Sequence, residues 1–331
     1  MSSNHKKKPR SESEDYRIYY GIPHCHTAAS TGKGTVKEAI EHCRGNGLDY
    51  IIISDHYTYM NKSSKNHKTV WGDHKDDVSW YRHHHKDFLP ILGFEYKLFQ
   101  NLDINIISVR KCIDHRLTID EFRKWLKNNN AIGIINHPGE SINRIKNNLE
   151  LNEFIHCIET GNGSYPGKYH RYYKNYFHLL DLGWKLAAVN GQDNHRKNWG
   201  DSDNVTAVIT RKLNEDSLKK AFLQRNTYST ESRTLKVKFS INGQIMGSII
   251  KIKGQESLNF SIAAEDLFHP IQKIKVFSNK GMVIRESQNL DMPKTELFFS
   301  IDSGTANWFV VNLLMENNRE AITSPIFIEY I

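Results

Sequence analysis

Between Tyr16 and residue 233, short apolar runs alternate with amphipathic segments of helical period. The runs span six to nine residues, and most are rich in β-branched or aromatic side chains, which is typical of buried strands. They are YRIYYGI, LDYIIIS, FLPILGFEY, INIISV, AIGIINH, FIHCIET and KLAAVNG. Strands that alternate with helices form parallel sheets. At about 215 residues, the pattern predicts a closed or partly closed, seven-stranded β/α barrel of the TIM-like kind.

Helix-start signals support this alternation. Thr35 and Glu38 have the spacing of a capping box, in which each side chain bonds the backbone N–H of the other residue. Thr118 and Glu121 repeat the spacing ahead of a second amphipathic segment. The apolar periodicity predicts two further helices. These cover residues 167–182 and 214–224.

After about residue 234 the helical pattern stops. Seven short alternating or apolar runs follow, separated by turn signals such as NG, NKG, DSG and ENN. This profile is typical of an all-β sandwich of about 95 residues. The sequence therefore predicts a basic disordered tail over residues 1–16, a barrel over 17–233 and a sandwich over 234–331. Since the sandwich holds one of the 17 histidines, it is expected to have an accessory role.

The positive charge lies outside the predicted sandwich. The formal net charge of the chain is +8, and residues 234–331 carry no net charge, so the whole excess lies in residues 1–233. This excess favours an anionic substrate for the predicted barrel. No stretch approaches the roughly 20 apolar residues of a membrane span, and no apolar signal core follows the basic start. A cytoplasmic protein without a membrane partner is therefore expected. The widely spaced cysteines are then interpreted as reduced thiols. They are Cys25, Cys43, Cys112 and Cys157.

Metal-competent side chains follow six of the seven predicted strands. His24 and His26 come first. Residues i and i+2 of an extended chain project to the same side, so two imidazoles placed in this way can bind one metal ion. Asp193 and His195 repeat the spacing after the last strand. The other four ends present Asp55 with His56, Glu95, His137 and Glu159. Because ligands gather at the carboxyl ends of barrel strands, these groups predict a metal centre.

The presence of each of these residues can also be explained without a metal ion. A single histidine or glutamate at a strand end is more often packed or hydrogen-bonded than bound to a metal. Six coincidences at strand ends of one sheet make that explanation poor for the whole set. The histidines outside the set are interpreted as solvated or packed, and they include His67, His74, His83, His84 and His85.

Five of the segments resemble motifs of the polymerase and histidinol phosphatase (PHP) family of metallohydrolases. They are GIPHCHT, IIISDH, GFE, INHP and GQDNH, in the family's order over about residues 18–230. The β-rich end resembles the carboxyl-terminal module of the branch that includes carbaryl hydrolase. The resemblance implies a distorted seven-stranded PHP barrel with two or three divalent metal ions. Manganese, iron and zinc are all candidates.

The resemblance also implies how the ions are held. The positions that match the first metal site are His24, His26, Glu95 and Asp193. In the family, this glutamate bridges to a second ion, which the residue matching His137 also binds. Ligands on the sixth strand vary among family members, and Glu159 is the candidate there.

The third metal site is where the chain departs from the family. That site combines two histidines, matched here by His56 and His195, with a histidine or aspartate soon after the first histidine pair. The family commonly has SDG at that place, whereas this chain has Ser30, Thr31 and Gly32. A threonine hydroxyl is a poor ligand for a hard cation, so either a weak third site or a two-metal enzyme is expected.

Such a centre predicts hydrolysis. Two cations about 3.5–4 Å apart acidify a bridging water and neutralise an oxyanion as it forms. The sequence has no GxSxG, P-loop or HExxH motif, which disfavours serine hydrolases, ATPases and common metalloproteases. The leading hypothesis is a metal-dependent phosphoesterase that attacks a small phosphomonoester or a short phosphodiester with the bridging hydroxide.

Side chains beside the candidate ligands are assigned supporting roles. Asp55 would orient the imidazole of His56, and His56 or His195 would protonate the leaving group if no third ion binds. Lys33 and Arg196, each beside a ligand loop, are candidate phosphate contacts. Ordinary solvation explains both of these cations equally well.

Three other functions stay open. The same centre would also suit a carbamate or carboxylester hydrolase, which the resemblance of the β-rich end suggests. A nuclease is less favoured, because the tyrosines available for base stacking lie on a predicted helix where packing explains some of them. A binding or scaffold protein without turnover is the third alternative, supported only by Thr31. The sequence leaves the oligomeric state open.

Overall fold

The computed structural model describes residues 16–331. The predicted basic tail over residues 1–16 lies, apart from Tyr16, outside the described residues. The helices are α1 Val36–Gly45, α2 Tyr57–Met60, α3 Val70–His84, α4 Ile119–Asn129, α5 Tyr173–Asp181 and α6 Glu215–Leu223. The first ten strands are β1 Arg17–Ile22, β2 Tyr50–Ile53, β3 Leu89–Phe99, β4 Leu102–Ile107, β5 Ile132–Ile135, β6 Ile155–Asn162, β7 His170–Arg171, β8 Ala187–Gly191, β9 Val205–Thr210 and β10 Thr227–Thr230. The last ten are β11 Lys236–Ile241, β12 Gln244–Ile245, β13 Ile249–Ile252, β14 Ser257–Glu265, β15 Ile271–Ser278, β16 Met282–Met292, β17 Lys294–Asp302, β18 Trp308–Met315, β19 Arg319–Thr323 and β20 Ile326–Tyr330.

A mixed sheet forms the frame of the N-terminal part. Its strand order is β10-β9-β1-β2-β3-β4-β5-β6, with β8 beside β6. Strands β1, β2 and β3 are parallel to one another, and so are β5, β6 and β8. Strand β4 is antiparallel to both neighbours. Only two residues connect it to β3, whereas a parallel crossover needs about a dozen. The α/β class is confirmed, but the all-parallel arrangement is wrong.

The sheet does not close into a TIM-like barrel. Within residues 16–331 no backbone ladder joins β8 to β9 or β10, the strands that would complete a ring. Side-chain hydroxyls link the two ends instead. The backbone N–H of Asn190 donates to the hydroxyl of Thr206 at 2.7 Å, and the hydroxyl of Thr227 donates to the carbonyl of Ala188 at 2.8 Å. The sequence predicted a closed or partly closed barrel, and the structure has an open sheet whose ends are joined through side chains.

Both predicted capping boxes are confirmed. Thr35 and Glu38 exchange hydrogen bonds at the start of α1, and Thr118 and Glu121 do so at the start of α4. Helix α6 occupies the range predicted for it, whereas α5 begins only at Tyr173 because residues ahead of it form β7, which pairs with β6. The sequence pattern does not predict α3, because charged residues and histidines obscure its helical period.

Two sheets make up the C-terminal part. One has the order β12-β11-β14-β17. The other contains β13, β20, β18, β15 and β16, and it is continuous with the N-terminal sheet because β19 pairs with both β18 and β10. A buried cluster that includes Phe239, Phe260 and Val311 joins the two sheets. Each of the seven predicted runs contains a strand, while the boundary at residue 233 stays a prediction.

Two further expectations concern the cysteines and the membrane. All four cysteines are buried, and all four are free thiols. None of the helices in residues 16–331 is both long enough and apolar enough to cross a membrane.

Candidate metal centre

The segments that follow β1 and β8 lie side by side. His24 and His26 follow β1, and a single bridge between Cys25 and Asn194 joins this segment to the one after β8. The backbone N–H of Asp193 donates to the carbonyl of His24, and that of His26 donates to the carbonyl of Asn194, both at 3.0 Å. This pairing holds the carboxylate of Asp193 beside the two imidazoles.

Four side chains converge at this point. The Oδ1 atom of Asp193 lies 3.0 Å from Nε2 of His26 and 3.3 Å from Nε2 of His24. The two Nε2 atoms are 3.2 Å apart, and each lies 3.5 Å from an oxygen of Glu95. Ligands about 2.1 Å from one cation are about 3.0 Å apart at right angles and about 3.4 Å apart in a tetrahedron. The measured separations therefore match a shared ion.

The hydrogen bonding of these side chains also fits a cation. The Oδ1 atom of Asp193 is buried and has no hydrogen-bond partner within residues 16–331, in spite of its short distances to two imidazoles. Leaving a buried polar atom unpaired costs about 1–3 kcal/mol, and a metal ion would satisfy it. Imidazole nitrogen and carboxylate oxygen together suit manganese, iron or zinc. The residues present therefore fit a divalent metal ion.

Glu95, on β3, connects this cluster to two further histidines. Its Oε1 atom lies 3.3 Å from Nε2 of His137 and accepts a hydrogen bond from Asn136 at 2.8 Å. Its Oε2 atom lies 2.8 Å from Nδ1 of His56. Burial opposes ionisation of this carboxyl, but the surrounding imidazoles, with His24 first, outweigh burial and hold its pKa well below its usual range. Glu95, within β3, thus faces histidines that follow three other strands, as a bridging ligand would.

Three overlapping groups of side chains place their ligand atoms within 4.8 Å of one another. They are His24, His26 and Asp193; His24, Glu95 and His137; and His26, His56 and His195. Because the groups share members, they outline one extended centre. The third group is the most open, since 28% of the His56 side chain and 44% of the His195 side chain are exposed.

The centre concentrates negative charge in a small space. Burial disfavours the protonated form of His24, yet the nearby carboxylates, Asp193 and Glu159 foremost, raise its pKa to about 10. Burial also works against protonation of His137, and the hydrogen bond to Glu95 with the charge of Glu159 raises its pKa to about 9. Burial would raise the pKa of Asp193, but His24 and other imidazoles lower it. The same field stabilises a divalent cation placed among these groups.

Two of the candidate ligands have a strained backbone. His137 has a φ of 27° and Asp193 a φ of 50°, in the left-handed region that residues with a Cβ rarely adopt. Such conformations cost on the order of 1–3 kcal/mol and persist where the surrounding structure holds them. The backbone N–H of His137 donates to Glu159 at 2.5 Å, and that of Asp193 donates to His24, so hydrogen bonds hold both residues in place.

Glu159 lies behind the three groups rather than within them. Its Oε1 atom lies 2.8 Å from Nδ1 of His24, and its Oε2 atom accepts hydrogen bonds from the side chain of Asn162 and the backbone of His137. Both oxygens therefore have protein partners. A carboxylate in this position orients the imidazole, so that its other nitrogen faces the centre. The structure makes Glu159 a support of His24, and direct metal binding by Glu159 stays a prediction.

Asp55 has partners other than the His56 imidazole that the sequence suggested for it. The buried carboxylate accepts hydrogen bonds from the backbone and hydroxyl of Thr27 at 2.8 and 2.6 Å and from the hydroxyl of Ser30. It also lies 3.0 Å from Nε2 of His74. Burial opposes its ionisation, but His74 and the hydroxyl donors lower its pKa to about 2. The sequence missed this role because α3, which brings His74 into the core, was not predicted.

Only one of the two predicted phosphate contacts lines a cavity beside the centre. Arg196 lines a cavity of about 220 Å³ together with Asp193 and His195, and this space is called the Arg196 cavity. Lys33 is exposed, and it lines none of the cavities that adjoin the centre in the described chain. Of these two cations, Arg196 is therefore the one that shares a cavity with candidate ligands.

Three cations that the sequence did not single out also lie beside the centre. Lys168 lines the Arg196 cavity. Lys97 and Arg116 line a second space of about 300 Å³, called the Lys97 cavity, together with Thr31 and His56. The only local signal for any of them is that Lys97 stands two residues after a candidate ligand on the same strand. Their approach depends on how distant segments pack, which the sequence pattern does not show.

The fold has counterparts among solved structures. A two-domain protein from Bacteroides vulgatus, which contains a predicted PHP-like metal-dependent phosphoesterase, is 16% identical with a TM-score of 0.52, over 92% of this chain and 92% of its own. A protein from Bifidobacterium adolescentis, described as a candidate metal-dependent phosphoesterase, is 13% identical with a TM-score of 0.39, over 62% of this chain and 96% of its own. No family model matches the sequence, and no curated protein matches it.

The fold and the candidate site both bear on the resemblance to the PHP family. The chain has a mixed α/β architecture like that of the two-domain PHP-like protein, so the resemblance inferred from the motifs is confirmed at the level of the fold. Within this fold, side chains that follow four strands join Glu95, which lies within β3, in a cluster that suits divalent metal ions.

Proposed function

We propose that this protein is a metal-dependent hydrolase that cleaves a small phosphomonoester or a short phosphodiester. The observation that carries the proposal is the set of 3.0–3.5 Å separations among His24, His26, Glu95 and Asp193, around a buried carboxylate oxygen that has no hydrogen-bond partner in the described chain. The basic charge of the first 233 residues supports an anionic substrate. The description of the Bacteroides vulgatus protein supports the same reaction class.

The three overlapping groups would hold two or three ions, with Glu95 between the first group and His137. Manganese, iron and zinc all suit these donors. When bound, the ions would supply an acidified water and neutralise negative charge on the phosphoryl oxygens. Glu159 accepts a hydrogen bond from Nδ1 of His24, which fixes the tautomer and leaves Nε2 free to bind.

Residues around the Arg196 cavity would position the phosphoryl group. The guanidinium of Arg196 and the ammonium of Lys168 offer charge-assisted hydrogen bonds to its oxygens. The Nδ1 atom of His195 lies 2.9 Å from the carbonyl oxygen of Asp193, so Nδ1 carries the proton and Nε2 is free. If no third ion occupies Nε2, a second proton taken up there, which makes His195 an imidazolium, would pass to the leaving-group oxygen and leave His195 neutral.

The test begins with protein purified without chelator. Elemental analysis gives the metal and the number of ions per chain, and a panel of phosphomonoesters, phosphodiesters, carbamates and carboxylesters gives the reaction. We expect two or three ions and release of phosphate or of a phosphomonoester. Asp193→Asn and His26→Ala should lose metal and at least about 10²-fold in kcat/KM, as expected for removal of a metal ligand. His178→Ala, at an exposed position on α5, is the matched control.

Other outcomes of this panel would replace the proposal. Hydrolysis of carbamates or carboxylesters without phosphate release would establish the alternative hydrolase. Nucleotide release from single strands, with salt-sensitive binding, would indicate a nuclease. Bound metal without hydrolysis of any class would leave a binding protein.

A further inference from the structure

Two cavities adjoin the candidate metal centre, and they contact different members of its most open histidine group. The Arg196 cavity contacts it through His195, after β8. The Lys97 cavity contacts it through His56, after β2. The imidazole of His26 adjoins both histidines, with ring centroids 4.5 Å from His195 and 4.7 Å from His56. A ligand held at this group can therefore extend into either cavity.

Each cavity is lined by two cations. Lys168 and Arg196 line the first, and Lys97 and Arg116 line the second. Among residues 16–331, Lys168, Arg196 and Arg116 form no ion pair, and the closest carboxylate to Lys97 is Asp103 at 4.0 Å. The one carboxylate in each lining set belongs to the candidate metal centre. The cations are therefore available to an anionic ligand.

The Lys97 cavity also has neutral hydrogen-bond donors. Hydroxyl-bearing side chains contribute to its wall, namely Thr31, Tyr57, Thr58 and Tyr59. Hydroxyls and cations, without a carboxylate beyond Glu95, form the environment that a phosphate or a carboxylate group needs. Thr31 contributes a donor without negative charge, so it favours an anion in this cavity rather than a cation.

We propose that the substrate carries a second anionic group, which the Lys97 cavity binds while the Arg196 cavity positions the phosphoryl group that is cleaved. This inference rests on the proposed function, and it narrows the substrate class to a phosphoester with a phosphate or carboxylate at its other end. One cation-lined cavity is enough for a simple monophosphate. A second cation-lined cavity at another histidine of the same group is explained by a ligand that is charged at both ends.

The test measures binding with compounds that cannot be hydrolysed. The full chain, with the metal it carries as purified, is titrated calorimetrically with alkane monophosphonates and with α,ω-bisphosphonates of the same chains, from propane to octane. We expect at least one bisphosphonate to bind about tenfold or more tightly than its monophosphonate, because the second contact is intramolecular. The Lys97→Ala/Arg116→Ala double variant should abolish that gain and keep the monophosphonate affinity. Lys212→Ala, at an exposed position that lines neither cavity, is the control.

The outcomes separate this inference from the proposed function. If no bisphosphonate binds more tightly than its monophosphonate, or if the gain survives in the double variant, the second anionic site does not exist. Phosphate release from simple monoesters in that case would leave the proposed function standing. A gain that depends on Lys97 and Arg116, in a protein that hydrolyses no phosphoester, would instead establish the anion site and overturn the phosphoesterase.

Discussion

The absence of a side chain at position 191 makes room for the carboxylate that orients His24. A Cβ atom on Gly191 would lie 1.9 Å from Oε1 of Glu159, the atom that contacts the His24 imidazole. Alanine there must displace that carboxylate. We expect Gly191→Ala to lower metal affinity by about 10- to 100-fold, the usual effect of losing a carboxylate behind a ligating histidine. Equilibrium dialysis against manganese or zinc measures the change.

Gly45→Ala is the control for Gly191→Ala. A Cβ atom on Gly45, the last residue of α1, would have no atom within 4 Å. Metal affinity should therefore be unchanged in this variant. If Gly191→Ala bound metal as tightly as Gly45→Ala, Glu159 would not be what holds His24 in its binding orientation.

A second residue, His156 on β6, predicts a pH dependence of stability that is separate from the metal centre. Burial disfavours its protonated form, and although Nδ1 lies 2.8 Å from the carbonyl of Phe154, the pKa is lowered to about 4. The unfolded chain takes up this proton near pH 6.5, and the folded chain does so only near pH 4. The stabilisation is therefore complete above pH 6.5 and lost as the pH falls to 4, by on the order of 2–3 kcal/mol.

Urea unfolding between pH 7 and pH 4 measures this effect as a difference between proteins. His156→Gln should lose less stability over that range than the unmodified chain. His178→Gln, at an exposed position, should follow the unmodified chain. Parallel curves for all three proteins would mean that His156 is protonated equally in the folded and unfolded states.

At the scale of elements, α3 supports the loop that follows the first histidine pair. His74, on α3, contacts the carboxylate of Asp55, which in turn binds Thr27 and Ser30 in that loop. We expect His74→Phe to lower the free energy of unfolding by about 1–3 kcal/mol, because a buried carboxylate loses a hydrogen-bond partner. Since Asp55 acts through the loop, kcat of the metal-loaded enzyme should change only a few-fold.

Lys75→Ala, at the next position of α3, is exposed and should change stability by no more than about 0.5 kcal/mol. Measuring both stability and kcat distinguishes two roles of Asp55, namely support of the loop and proton transfer. A loss of kcat of about 10²-fold or more in His74→Phe, with metal content and folding intact, would mean that Asp55 and His74 take part in proton transfer.

The same elements show which structural features can be predicted from a sequence. The starts of α1 and α4 were predictable because each capping box is a local exchange between residues three apart, such as Thr35 and Glu38. Most candidate ligands were predictable because they follow strand ends, which are also local features. The predicted strand ends were wrong at Glu95 and Glu159, because β3 and β6 continue beyond them. The open sheet was not, since the hydrogen bonds of Thr206 and Thr227 across its ends join segments far apart in sequence.

Long-range packing likewise explains what the sequence missed in the site. The partners of Asp55 depend on where α3 lies, and no pattern within α3 points to His74. Lys97 and Arg116 reach one cavity only because β3 and the segment ahead of α4 pack beside the same strand end. Local spacing therefore identifies the candidate ligands of the centre. The side chains that contact those ligands from behind, and the cation-lined cavities, depend on the tertiary fold.

At the scale of the whole molecule, the two parts of the chain share a core. Residues of β10 and β19 form one ladder, with Tyr228 opposite Thr323. Trp308 of β18 is buried in the cluster that also fills the N-terminal part, stacks on Phe177 at 5.3 Å between ring centroids, and donates to Asp181 at 3.0 Å. Because these contacts join the N-terminal and C-terminal parts, unfolding of either part would break contacts made by the other.

This coupling predicts a single cooperative transition for the metal-free chain. We expect Trp308→Ala to destabilise the protein by about 3–5 kcal/mol, the usual cost of removing a buried tryptophan side chain. The whole transition should move to lower temperature rather than a part of it, because Trp308 packs against α5 as well as within its own sheet. Scanning calorimetry at several scan rates, with circular dichroism at two wavelengths, would follow both parts. Two transitions, of which only one moves in the variant, would show instead that the sandwich folds independently of the sheet that carries the candidate metal centre.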